Sequence, residues 1–152
     1  MLQEGNIVSN FSLKTDQGDI DNVLKSNIKT VLFFFPRADT PGCTKEAIEF
    51  SLLKKDFDAL NIKLIGISKD SIIKQEKFKN KHNLTCILGS DDNTNICENF
   101  EVWVEKSMYG KKYMGIQRTT FLIDEDRKIV KIWEKVKVPN HAQEVLDFSK
   151  SL

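Results

Sequence analysis

Val31-Leu32-Phe33-Phe34-Phe35-Pro36-Arg37-Ala38-Asp39-Thr40-Pro41-Gly42-Cys43-Thr44-Lys45-Glu46 reads as a strand, a turn and the start of a helix. The apolar run Val31 to Phe35 is too short for a buried helix and rich in aromatic side chains, which predicts a strand buried on both faces. Pro36 ends it, because proline cannot donate to a sheet ladder. Thr40 followed by Pro41 marks a helix start: a hydroxyl can accept from an unpaired first-turn amide, and proline is tolerated at the first helical position. Beyond that point Cys43, Ala47, Phe50, Leu53, Phe57 and Leu60 recur at spacings of three and four, predicting one helix to Leu60 with its apolar stripe on a sheet.

This pattern makes Cys43 the third residue of the helix. There a thiol meets the positive end of the helix dipole and unpaired amide donors, both of which favour thiolate. A free cysteine has a pKa of about 8.5, and sites of this kind lower it. A free cysteine can equally serve as a small buried apolar residue. The local pattern leaves both readings open.

Outward from this stretch, Phe11 to Thr15 alternates apolar and polar residues, and Asp16-Gln17-Gly18-Asp19 turns into Ile20, predicting an N-terminal β-hairpin. Ile62 to Ser68 reads as a second buried strand, with Gly66 where backbone can approach closely. Asp70 or Ser71 caps a helix to about His82. Thr85 to Leu88 is a short strand closed by Gly89-Ser90-Asp91-Asp92, a cluster that also caps a short helix carrying Ile96, Cys97 and Phe100. Trp103 and Val104 lead into a tyrosine-rich loop to Met114. Arg118 begins a strand over Thr119 to Ile123, Asp124-Glu125-Asp126-Arg127 turns into its partner Lys128 to Trp133, and a last helix starts near Asn140 with Ala142, Val145, Leu146 and Phe148 facing inward. Alternating strands and helices with one adjacent strand pair predict an α/β fold: a mixed central sheet with helices on both faces.

Composition narrows the function classes. The 152 residues are 40% hydrophobic and 30% charged, which suits one globular domain over residues 1–152. Lys+Arg at 23 against Asp+Glu at 22 leaves a formal charge of +1, so no global field recruits nucleic acid or an anionic membrane. Lys74, Lys77, Lys79 and Lys81 read as a solvated helix face. No apolar run approaches the ~20 residues of a membrane span, and Met1-Leu2-Gln3-Glu4-Gly5 lacks the pattern of a signal peptide, so a cytoplasmic chain is expected. Three cysteines, Cys43, Cys86 and Cys97, are an odd and sparse set, unlike a disulfide framework. They form no Cys-x-x-Cys pair, and His82 and His141 stand outside any metal-ligand spacing, reading as surface or helix-cap residues. No exposed apolar stretch asks for a partner, so a monomer is expected.

Pro36-x-x-x-Thr40-x-x-Cys43, with Thr44 and Glu46 after it, resembles the peroxidatic signature of the peroxiredoxins. Thr40-Pro41-Gly42-Cys43-Thr44 is similar to the subgroup called PrxQ or bacterioferritin comigratory protein, and Met108-Tyr109-Gly110-Lys111-Lys112-Tyr113-Met114-Gly115-Ile116-Gln117-Arg118-Thr119-Thr120-Phe121-Leu122-Ile123-Asp124 is similar to that subgroup over its full length. The resemblance implies a thioredoxin-like fold and a thiol peroxidase that reduces hydrogen peroxide and small organic hydroperoxides without metal, haem or flavin. It implies Cys43 as the nucleophile that becomes a sulfenic acid, with Thr40 and Arg118 donating to sulfur and peroxide, Pro36 shielding the pocket and Glu46 holding Arg118. For Arg118 a surface salt bridge, and for Glu46 a plain surface carboxylate, are the alternatives.

Many members of the subgroup carry a second cysteine five residues after the first, but that position is Ile48. Others carry it in the helix predicted from Asp70 to His82, which contains none. Cys86 and Cys97 read as packed core residues, so a one-cysteine cycle is expected, with thioredoxin or a low-molecular-weight thiol attacking Cys43. The sequence departs from the family at Arg127, where glycine is common in this turn. Of the competing readings, a thioredoxin-type oxidoreductase needs a second nearby cysteine, and a redox-sensing or chaperone-like module would use Cys43 oxidation to change shape.

Overall fold

A computed structural model describes residues 1–152. Its strands are β1 (Leu13–Thr15), β2 (Gly18–Ile20), β3 (Lys29–Phe34), β4 (Ile62–Ser68), β5 (Ile87–Ser90), β6 (Trp103–Met108), β7 (Lys111–Ile116), β8 (Thr119–Ile123) and β9 (Ile129–Trp133). The helices are α1 (Pro41–Leu52), α2 (Lys54–Ala59), α3 (Ile72–His82), α4 (Ile96–Asn99) and α5 (His141–Lys150). Seven strands form one sheet in the order β2-β1-β5-β4-β3-β8-β9, and β6 pairs with β7 apart from it. β3 runs parallel to β4 and β4 to β5, whereas β8 is antiparallel to β3 and β1 to β5. The mixed sheet with helices on both faces is the thioredoxin-like architecture expected from the sequence.

The period-2 alternation of β3 divides the core in two. Val31, Phe33 and Phe35 face a layer built from α1, α2, α3 and α5, including Cys43, Phe50, Phe57, Phe78, Val145 and Leu146. Leu32 and Phe34 face the opposite layer, with Ile65, Ile67, Phe121, Cys97, Phe100 and the N-terminal residues Val8 and Val23. Both surfaces of the strand are therefore apolar, which is why Val31 to Phe35 lacks a polar face.

Several elements differ from the expectation. The helix expected to reach Leu60 is interrupted at Leu53. Thr85 supplies the reason: its hydroxyl donates to the Ser51 carbonyl at 3.0 Å, an acceptor a continuing helix would need. One residue of irregular backbone preserves the apolar phase, so periodicity does not reveal the break. β5 begins at Ile87 and runs through Gly89 and Ser90, which the sequence placed in a turn. Gly89 sits under Leu13 of β1, whose Cδ2 is 2.5 Å from where a glycine-to-alanine Cβ would lie. The predicted N-terminal hairpin, β1–β2, joins the edge of the sheet through β5.

The tyrosine-rich loop is a second hairpin, β6–β7, turned by Tyr109 and Gly110 at φ 51° and 78°. Two positive φ values in a two-residue loop match strand twist, but tyrosine is not a residue that announces such a turn. His141 is buried rather than superficial, at the start of α5, and Lys79 pairs with the almost fully buried Asp16 instead of lying in solvent. No helix is long and apolar enough to cross a membrane.

Candidate active site

Pro41 opens α1, and Thr40 before it has extended backbone (φ −84°, ψ 156°). The Thr40 side chain does not cap the helix as expected. Its hydroxyl donates to the Arg37 carbonyl at 2.9 Å, closing the turn that leads into α1. That turn is tied down twice more. Asp70 accepts from the Ala38 amide at 2.7 Å, and Asp39, at φ 63°, is held by Lys81 and by His82, each at 2.8 Å. Pro36 is half-buried at the end of β3.

Cys43 follows in the first turn of α1 and is 2% exposed. Arg118, in the short link between β7 and β8, comes back across the sheet to meet it: Nη2 donates to Cys43 Sγ at 3.3 Å while Nη1 donates to Glu46 Oε1 at 2.6 Å. Glu46 lies three residues after Cys43 and so on the same helix face. It is 1% exposed, not a surface carboxylate. Gly42 leaves room for this arrangement, since a Cβ there would stand 3.2 Å from Arg118 Nη2. The Val136 amide donates to the Arg118 carbonyl at 3.0 Å and fixes the backbone behind it.

The electrostatics follow from burial. Burial opposes the charge on Arg118, but the negative charges of Glu46 and Cys43 hold it above its ordinary range. The carboxyl of Glu46 is pushed up to about 7, chiefly by burial, against the pull of Arg118. His141 accepts or donates to Thr120 at 2.8 Å, and its imidazole is pulled down to about 4 by burial and by the Arg118 charge. A sulfur in contact with a permanent cation that a buried carboxyl holds in place can support nucleophilic chemistry at sulfur. No cluster of side chains suits a metal ion. The hollow of about 380 Å³ lined by Leu2, Val8, Phe11, Ile96 and Phe100 holds no cysteine or charged side chain.

The model of the AhpC/TSA family matches residues 5–132. The chain belongs to the AhpC/TSA family. As a peroxiredoxin it is a thiol-dependent peroxidase. It is 42% identical to peroxiredoxin Bcp of Bacillus subtilis over 154 residues, covering 99% of this chain and 97% of that one. The structure of PrxQ from Xylella fastidiosa superposes with a TM-score of 0.94 at 35% identity, covering 99% of this peroxiredoxin and 97% of the other. The bacterioferritin comigratory protein of Xanthomonas campestris, known in complexes that concern its alkyl peroxide reduction, matches with a TM-score of 0.87 at 35% identity over 93% of this chain and 90% of that one.

Of the residues singled out from sequence, the fold brings Cys43, Glu46 and Arg118 into direct contact, with Pro36 and Thr40 in the adjoining turn. It does not bring the other cysteines there. Cys86 accepts from Ser51 Oγ at 3.5 Å, at the far end of α1, and Cys97 lies in the core layer beyond the sheet. Lys106 of β6, which the sequence reading did not single out, is half-buried, and burial together with the Arg118 charge lowers the pKa of its ammonium. The stretch Trp103 to Met108 has no apolar–polar alternation, so nothing in the sequence marked it as a strand.

Proposed function

We propose that Cys43 is the peroxidatic nucleophile and that it acts on hydrogen peroxide and small organic hydroperoxides in antioxidant defence. The thiolate donates a lone pair to one peroxide oxygen, an S–O bond forms, the O–O bond breaks, and the departing oxygen takes up a proton to leave as water or alcohol. Arg118 serves both ends of this step, since a guanidinium keeps its charge and donates through several N–H groups at once. Glu46 orients Arg118, Pro36 limits water around the sulfur, and the Thr40 hydroxyl turns from Arg37 towards the bound peroxide. The observation that carries this reading is the 3.3 Å contact from Arg118 Nη2 to Cys43 Sγ.

The cycle uses one cysteine, and thioredoxin or a low-molecular-weight thiol returns Cys43 to thiol. Ser51, which touches Cys86, lies eight residues along α1 from Cys43, a rise of about 12 Å, whereas a disulfide needs Cα atoms within about 7 Å. Burial pushes the Cys86 thiol up to about 11 and the Cys97 thiol higher still, so neither offers a ready thiolate.

Mass spectrometry after one equivalent of peroxide tests both parts. The expected product is one oxygen on Cys43, with peroxide consumption lost in Cys43→Ser and kept in Cys86→Ser and Cys97→Ser. Turnover that survives Cys43→Ser would remove the nucleophile, and a stoichiometric disulfide to Cys86 or Cys97 would remove the one-cysteine cycle.

A further inference from the structure

One guanidinium answers two buried acids. Arg118 Nη2 lies 3.3 Å from Cys43 Sγ and Nη1 lies 2.6 Å from Glu46 Oε1. Both acids are closed to solvent, Cys43 at 2% and Glu46 at 1% exposure. The second carboxyl oxygen, Glu46 Oε2, is buried and has no hydrogen-bond partner. An ionised carboxyl would leave half its charge unanswered at that oxygen, whereas the protonated acid buries none.

No other cation contacts the pair. Glu49, three residues further along α1, also has a buried oxygen without a partner, and its charge opposes ionisation of Glu46. His141 of α5 packs edge-on to Phe50, hydrogen-bonds Thr120 at 2.8 Å and stays neutral, its imidazole held down at about 4. Lys45 is exposed, and the half-buried Lys106 of β6 forms no ion pair with either carboxyl. Two buried acids compensated by a single guanidinium cannot both ionise without burying a net negative charge. While Cys43 is a thiolate, Glu46 therefore keeps its proton. Once Cys43 is a neutral sulfenic acid, the whole Arg118 charge is left to Glu46, which then ionises.

We propose that Cys43 and Glu46 hold one proton between them across Arg118, and that Glu46 gives up this proton as peroxide is reduced. The proposal rests on Cys43 as the nucleophile. The thiolate takes one peroxide oxygen together with its hydrogen, the S–O bond forms as the O–O bond breaks, and the departing oxygen needs one proton to leave as water or alcohol. Glu46 releases one, so the step draws none from solvent on balance, and the site ends as it began, with one cation and one anion. Glu46 acts here through Arg118, as a positioning residue for charge. Its carboxyl, pushed up to about 7, agrees with a proton kept below neutrality.

The test counts protons with an indicator dye while one equivalent of peroxide oxidises the protein in weak buffer at about pH 6.5, where the wild type is expected to take up less than about half a proton per Cys43 and Glu46→Gln about one. An infrared difference spectrum of the same step is expected to lose the carbonyl band of a protonated carboxyl and gain carboxylate bands, in the wild type and in Glu49→Gln but not in Glu46→Gln. Uptake of about one proton by the wild type, or equal uptake by wild type and Glu46→Gln, overturns the proposal. So does a wild-type spectrum without the carboxyl change, or a change lost in Glu49→Gln; these two spectra decide even where Glu46→Gln does not fold. Mass spectrometry of the same sample separates the proposal from the reading beneath it: one added oxygen on Cys43 upholds the nucleophile whatever the proton count, and Cys43 left unoxidised overturns both.

Discussion

Arg118 bridges Glu46 and Cys43 with separate nitrogens of one guanidinium, Nη1 at 2.6 Å and Nη2 at 3.3 Å, although 72 and 75 residues separate them in the chain. The pair of contacts is not available together to a lysine, whose single ammonium cannot span both partners. Arg118→Lys is therefore expected to slow single-turnover peroxide reduction by roughly a hundredfold, in the range seen when one donor to a developing negative charge is removed. Stopped-flow kinetics within threefold of wild type would show that the fork is dispensable.

Glu46 carries a pH dependence of defined sign. Its carboxyl is pushed up to about 7 from 4.5, so its stabilising contribution is complete below about 4.5, where it is protonated in both states, and is lost as pH rises through about 7. The ion pair with Arg118 has the opposite dependence and weakens as pH falls below about 7. Acidification should raise the thermal midpoint of the wild type relative to Glu46→Gln, and should slow peroxide reduction with an inflection that the variant lacks. Superimposable pH profiles for the two proteins would refute this.

Gly66 is expected to tolerate no side chain. A Cβ there would lie 2.6 Å from Phe33 Cζ and 3.1 Å from Phe35 Cε1. Phe33 cannot retreat, because it is fully buried and stacks on Phe50 of α1 with ring centroids 4.4 Å apart. Overpacking of this kind costs about 1–3 kcal/mol, so Gly66→Ala should lower the urea midpoint accordingly. An unchanged midpoint would mean that the sheet shifts freely at this position.

Arg127 invites the opposite change. Its φ is 62°, its amide donates to Asp124 at 3.1 Å and its carbonyl accepts from Val8 at 2.9 Å, so the strained conformation is locked from both sides. A side chain in left-handed backbone costs about 1–2 kcal/mol, and glycine gives back part of that in chain entropy. Arg127→Gly should stabilise the protein by about 0.5–1 kcal/mol in equilibrium unfolding, and any destabilisation would contradict the backbone argument.

Most of the frame was legible because local rules and tertiary packing agree. Ile62 to Ser68 is a strand over the expected residues, the Ser71 hydroxyl accepts from the Lys74 amide as the cap of α3, and the turn before Arg127 joins β8 to β9. The failures fall where a distant group decides. Thr85 takes the Ser51 carbonyl and breaks the long helix, Leu13 covers Gly89 and keeps it in a strand, and Tyr109 adopts positive φ in a hairpin whose turn residues give no warning. His141 looked superficial because a histidine at a helix start is usually wet; Thr120, Phe50 and Trp133 enclose it.

The order of residues determined by itself that a thiol stands in the first turn of a helix behind a doubly buried strand, because proline, periodicity and apolar runs act over a few neighbours. Only the folded chain decided what faces that thiol. Cys43 and Arg118, 75 positions apart, carry no local signal of their meeting, which depends on β8 lying antiparallel against β3 and delivering a guanidinium to the end of the sheet where α1 begins.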